Sequence, residues 1–308
     1  MNHTREFDVI VVGELNADLI LNGDIEPRFN QVEKLIGDAT LTLGSSSAIF
    51  ACGASRLGLR TAFIGKVGDD IFGQFVIDQL EARGVFTAGI VRDKNVKTGL
   101  SVILNRESDR AILTYSGSIG ALRLDEIDLK LLSSATHLHL GGYFLLDELR
   151  PDLPGLFKMA RDSELTISLD TNFDPHEKWN GGLDSLLKFT DIFLPNEREI
   201  CAITRKDDYL SAANLLVETT PSVVVKLGAK GGQVFQKGKS FSSDILKVDV
   251  VDTVGAGDSF DAGYIFAFLN SMDLQQSIRL ACICGSLSTR APGGITGQPT
   301  WEEAKKYL

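Results

Sequence analysis

Long apolar runs, blocks of like charge, low-complexity tracts and C-x-x-C cysteine pairs are all missing from this 308-residue chain, and each absence removes a class of protein. The start, "MNHTREFDVIVVGELNADLIL", holds one short apolar run broken by Gly13, Glu14 and Asp18, too short for a signal peptide's core or a membrane span. It reads as the first strand of a folded domain. Lys and Arg total 31 against 41 Asp and Glu, a net charge of -10 with no run of one sign, which argues against a binder of phosphate backbones. Neither nucleic acid nor membrane is an expected partner. Cys52, Cys201, Cys282 and Cys284 lack metal or redox spacing, so a reduced, cytoplasmic setting is expected. With no internal repeat and no Pro/Gly linker, residues 1–308 are expected to form a single domain.

What is present is rhythm. At 44% hydrophobic residues, the chain carries short β-branched runs, "DVIVVG", "TAFIG", "THLHLGG", "LTISLD", "DIFLP" and "SVVVKLG", that read as buried strands. Most are followed by segments of helical spacing, such as Ile71, Phe75 and Leu80, or Phe260, Tyr264 and Phe268. The alternation predicts an α/β fold with a mostly parallel central sheet and helices on both faces. Ligands then belong at the carboxyl ends of the strands. One region departs from this pattern: "TGLSVILNRESDRAILTYS", Thr98 to Ser116, reads as two alternating strands joined by the polar turn "NRESDR". A hairpin outside the main sheet suits a lid.

The stretch "VDTVGAGDSF" carries the chemistry. Gly255 and Gly257 let the backbone turn tightly, and the helix that follows supplies unpaired N–H groups and a positive dipole end. Such a nest suits a phosphoryl group gaining charge in its transition state. Asp258 then has two readings: an N-cap of the helix, or a base that takes a proton from a hydroxyl as that oxygen attacks phosphorus.

"DTVGAGDSF" resembles the C-terminal signature of the ribokinase (PfkB) family of carbohydrate and nucleoside kinases. The resemblance extends to "GELNADLIL", "RLGLRTAFIGKVGDDIFG", "TG…GSIGAL", "LPNEREI" and "KLGAKGG", nearly the whole chain. It implies a helix-covered sheet with a small β lid, here roughly 14–40 and 95–118, and transfer of the γ-phosphoryl group of ATP to a hydroxyl. By that resemblance Asp258 is the base, and the backbone of Gly255, Ala256 and Gly257 is the anion hole. Asn196 and Glu199 organise Mg²⁺ through water, a role also compatible with an Asn N-cap. Asn16, Asp18 and Gly44 fall where relatives hold the sugar, and Lys226 and Gly228 where the nucleotide passes. Asp252 and the Val254 carbonyl resemble positions that hold K⁺ in some relatives. Cys282 falls near the relatives' adenine pocket and is read as helix packing. Homodimerisation through the lid occurs in parts of the family, and Val102 and Leu104 are apolar there. The expected function is an ATP- and Mg²⁺-dependent sugar kinase; a nucleoside kinase, or a sugar or nucleotide sensor without turnover, are the alternatives.

The chain departs from the family where it reads "LGSSSAIFACGASRLG". Only Gly44 remains of a glycine pair, and the family's substrate-binding Asn falls on Ile49. Ser45, Ser46 and Ser47 are candidates to replace its contacts. Three other patterns are read as structural. "GKS" at Gly238 lacks the rest of a P-loop and reads as a hairpin turn. "DTNFD" from Asp170 lacks a calcium loop's Gly and Glu, and is expected at a strand end near the site. His137 and His139 share a strand face without a third ligand.

Overall fold

The computed structural model describes residues 5–106 and 109–308. Among these residues thirteen strands form two sheets: β1 (Phe7–Val12), β2 (Asn16–Asn22), β3 (Asp38–Leu43), β4 (Thr61–Gly68), β5 (Phe86–Asp93), β6 (Gly99–Arg106), β7 (Asp109–Tyr115), β8 (Ala135–Leu140), β9 (Thr166–Leu169), β10 (Ile192–Phe193), β11 (Ser222–Lys226), β12 (Gly232–Gln236) and β13 (Lys239–Ser243). The helices are α1 (Ser46–Leu57), α2 (Ile71–Ala82), α3 (Leu129–Ser133), α4 (Leu153–Asp162), α5 (Leu183–Leu187), α6 (Glu197–Thr204), α7 (Tyr209–Leu216), α8 (Ala256–Leu269), α9 (Leu274–Ser288) and α10 (Trp301–Ala304). The large sheet has the order β13-β12-β11-β10-β9-β8-β1-β4-β5. It is parallel except at the β11-β12-β13 edge, where "GKS" falls in the expected hairpin.

Alternation along β1 shows why the sheet is covered on both sides. Val9 and Val11 pack into one apolar cluster with residues of α1, α2, α8 and α9, while Ile10 and Val12 pack into another with residues of α4, α6 and α7. A strand buried on both faces reads as a continuous apolar run, which is why six strands were legible. Two expectations about helices change. In α2 the buried residues are Gly73, Val76, Ile77 and Leu80, an i, i+3, i+4, i+7 stripe that includes the expected Leu80, with Phe75 partly buried at its edge and Ile71 79% exposed. In α8 everything from Ser259 to Ala267 is buried, because α1 and α9 enclose it on both sides.

The smaller sheet has the order β3-β2-β6-β7, with β2 and β6 parallel and the outer pairs antiparallel. It coincides with the expected β excursion, except that β3 runs on to Leu43, past the expected limit at 40. Two residues of the "NRESDR" turn, 107 and 108, lie outside the described residues. Among the described residues no helix is long and apolar enough to cross a membrane.

Candidate active site

The carboxyl ends of β1, β9, β10 and β11 and the start of α8 converge on one cleft. At α8 the N-cap is Gly255, with φ of 70° and no side-chain cap. A left-handed φ suits glycine, and a Cβ there would lie 2.8 Å from Ile49 Cγ2. The first-turn N–H groups that follow have no intrahelical acceptor. Asp258 sits within that turn without capping it, which removes the N-cap reading of Asp258. The Ser46 hydroxyl next to it favours the ionised carboxylate. Burial, and next the charge of Asp170, push Asp258 up to about 8, against the pull of Lys226, although one edge of the residue stays open to solvent.

Beside it lies a polar cluster assembled from distant segments. Asn16 Nδ2 donates to Asp18 Oδ1 at 2.7 Å, and both residues are buried. Gly44 lies against the pair, where a Cβ would fall 2.2 Å from Asp18 Oδ1, so Asn16, Asp18 and Gly44 do come together. Asn172, from "DTNFD", donates to Ser46 Oγ at 2.9 Å, leaving that hydroxyl's own proton for Asp258.

Below the α8 turn is a buried ionic triad. Lys226 Nζ donates to Asp170 Oδ2 at 2.9 Å and to Asp261 Oδ2 at 2.8 Å. Burial disfavours the ammonium, but Asp170, Asp261 and Glu199 outweigh it and hold the Lys226 pKa well above its usual value. Asp261, one helical turn after Asp258, is pushed well up by burial despite Lys226. Lys226 is therefore tied down beneath Gly257, with its Cδ 3.6 Å from where a Cβ of Gly257 would sit.

Asn196 and Glu199 form a capping box at the start of α6, in which Glu199 N–H donates to Asn196 Oδ1 at 2.9 Å and Asn196 N–H to Glu199 Oε2 at 2.9 Å. Burial and the charge of Asp170 raise Glu199 to about 7. Asp252 joins two loops, accepting from Val254 N–H at 3.0 Å and Gly293 N–H at 2.9 Å. A separate cleft of about 480 Å³ starts at Ala256 and Gly257 and runs past Lys226 and Gly228 to Cys282 and Ser286. Cys282 both packs in α9 and lines that cleft. Among the described residues no group of three or more His, Cys, Asp or Glu is arranged to cage a metal. His137 and His139 bond instead to Ser168, with Nε2 and Nδ1 at 2.7 and 2.8 Å, and burial lowers both to about 3.

Residues 6–301 match the profile of the pfkB family carbohydrate kinases. The chain belongs to the pfkB family. An uncharacterized sugar kinase of Archaeoglobus fulgidus is 31% identical over 80% of this chain and 98% of its own. Probable fructokinase-4 of Arabidopsis thaliana is 30% identical over 86% of this chain and 87% of its own. In fold, the chain superposes on a putative ribokinase II from E. coli, described in complex with ATP and Mg²⁺, with a TM-score of 0.86 at 23% identity over 98% of each chain.

Membership sharpens the meaning of the "GSSSAI" departure in this pfkB kinase. Ser45 stands at φ of 70°, a conformation that favours glycine. Of the three serines only Ser46 faces the cleft: Ser45 and Ser47 are turned to Glu14. Ile49 is buried under the α8 turn, its Cδ1 2.4 Å from where a Cβ of Gly294 would sit. Its side chain packs the floor of the turn and offers no polar contact, while its carbonyl accepts from Gln298 Nε2 at 2.8 Å. The sequence reading missed Glu14, Asp261 and the Asn172–Ser46 bond; only the i, i+3 spacing of Asp258 and Asp261 signalled any of these beforehand.

Proposed function

We propose that this kinase transfers the γ-phosphoryl group of ATP to a hydroxyl of a small neutral sugar, with Asp258 as the base. The observation that carries the reading is the placement of Asp258: in the first turn of α8, not used as a cap, and next to the Ser46 hydroxyl within a cluster of polar side chains. As the sugar oxygen bonds to phosphorus, its proton passes to Asp258. The bond from phosphorus to the bridging oxygen breaks, and ADP leaves with the electron pair. The backbone N–H groups from Gly255 to Asp258, with the α8 dipole, face the charge on the transferring group. A proton affinity near neutrality suits a group that must accept a proton and later release it.

The neutral acceptor is argued from the cluster itself. Asn16, Asp18, Ser46 and Asn172 offer amides, a carboxylate and a hydroxyl, groups that pair with sugar hydroxyls. The ammonium beside them, Lys226, is already held by two carboxylates and is not offered to an acidic acceptor. The 480 Å³ cleft, opening at Ala256 and Gly257, suits the nucleotide.

Asp170, Glu199 and Asp258 crowd negative charge together, with Asp170 raising both of the others, and a divalent cation relieves such crowding. Asn196 and Glu199 would hold Mg²⁺ through water, which fits an ion that keeps most of its waters. Bound with ATP, it would offset charge on the phosphates. Asp252 and the Val254 carbonyl are the corresponding candidates for K⁺.

The test is Asp258→Asn, which keeps nearly the same shape. It is expected to retain ATP binding while lowering kcat at least about 100-fold, read by coupled ADP release against pentoses, hexoses, keto-sugar acids and nucleosides. Turnover equal to the parent's would refute the base; a preference for acids or nucleosides would refute the neutral-sugar acceptor.

A further inference from the structure

Glu14 is 1% exposed, and none of the ion pairs among the described residues involves it. An isolated buried carboxylate is costly unless it is well hydrogen-bonded. Here it accepts from Ser47 N–H at 3.2 Å, from the Ser47 hydroxyl, and from Ser45 Oγ at 3.2 Å. Ser45 Oγ also lies 2.6 Å from the Glu14 carbonyl and accepts from Ala48 N–H at 3.0 Å. The carboxylate thus sits at the start of α1, where a helix favours an anion. Gly142, with φ of 64°, makes room for it, since a Cβ there would lie 2.2 Å from Glu14 Oε2. Burial raises the Glu14 carboxyl, and the bonds from Ser47 and Ser45 act against that rise.

We propose that Glu14 is a positioning residue for phosphoryl transfer: it clamps Ser45 and Ser47 on either side of Ser46, so that the Ser46 hydroxyl is fixed between Asn172 and Asp258. The backbone on which it acts needs such a clamp. Ser45 holds a left-handed φ that costs free energy in a non-glycine residue, and its side chain spans both the Glu14 carbonyl and the helix N-cap. Without the carboxylate, Ser47 loses the acceptor of its N–H and of its hydroxyl and Ser45 keeps only the Glu14 carbonyl, so the turn carrying Ser46 is freer to relax. Glu14 touches neither substrate nor reacting atoms; it acts through Ser46.

The inference rests on Asp258 being the base, and a double-mutant cycle separates the two claims. Glu14→Gln is expected to lower kcat about tenfold, within the range of coupling between residues that act as one unit, with the KM for ATP unchanged. In a Ser46→Ala background the same change should alter kcat less than about twofold. Ser47→Ala breaks the clamp from its other side, and the same cycle is run with it should Glu14→Gln fail to fold. Additive effects in the two backgrounds, or a fall in kcat matched by a changed KM for ATP, would overturn the positioning role. Asp258→Asn with parental turnover would instead overturn the base assignment.

Discussion

A carboxyl held near 8 on a site residue has two consequences of opposite sign. As a base, Asp258 must be ionised, so kcat should rise as pH increases through about 8. As a structural group, it keeps its proton more tightly folded than unfolded. Its contribution to stability is therefore fully present below the ordinary carboxylate range and is lost as pH rises through about 8. Asp258→Asn should accordingly raise the Tm of the ligand-free protein more at about pH 9 than at about pH 5, and leave it nearly unchanged only at about pH 3, as read by thermal melts. An equal shift at both pH values would show that the carboxylate is not strained in the fold. The residues visible beforehand were those whose chemistry sits in one contiguous motif, such as Asp258, or in a short alternation, such as Asn16 and Asp18. Asn172 and Ser46 are 126 positions apart, and nothing local in either segment says that they meet.

At the scale of elements, what could be read depended on how evenly each one is buried. Strands such as β1 and β11, apolar on both faces, announced themselves. β5 did not, because as an edge strand it has only partial burial along its length. At the start of α1 sequence and backbone disagree through Ser45, a non-glycine residue at φ of 70°. Ser45→Ala keeps the left-handed φ and loses both the cap and the bond to Glu14, so it should destabilise by more than about 1 kcal/mol. Ser45→Gly loses the same bonds but relieves the backbone, and its Tm should lie above that of Ser45→Ala. The reverse order would mean that the turn carries no strain. The loop that Asp252 ties to Gly293 is the second element to test. If it holds K⁺, exchange of K⁺ for a bulky organic cation should lower kcat, while equal rates in both buffers would exclude that role.

Over the whole molecule, the small sheet turns one face outward, and its register makes that face apolar. Leu41, Leu19, Val102 and Leu113 lie in one row; in the next, Leu43 and Ala17 are buried in the core and only Leu100 and Tyr115 reach toward solvent. Val102 and Leu104, the residues picked from sequence, are only partly exposed; the exposed members are Leu41 at 39%, Leu113 at 63% and Tyr115 at 54%. Four strands about 20 Å long and about 4.8 Å apart present a flat area of only about 350 Å², well short of the roughly 800 Å² per partner of a stable interface. The segment between β2 and β3, with Phe29 84% and Leu35 86% exposed, adds apolar surface of the kind such an interface uses. If two copies associate through this face, both parts must take part. Sedimentation should then find a dimer that either Leu113→Glu or Leu35→Glu dissociates, because a charge facing its own copy across a twofold axis is met by the same charge. A parent protein that stays monomeric at high concentration would exclude the dimer, and dissociation by Leu113→Glu alone would confine the contact to the sheet.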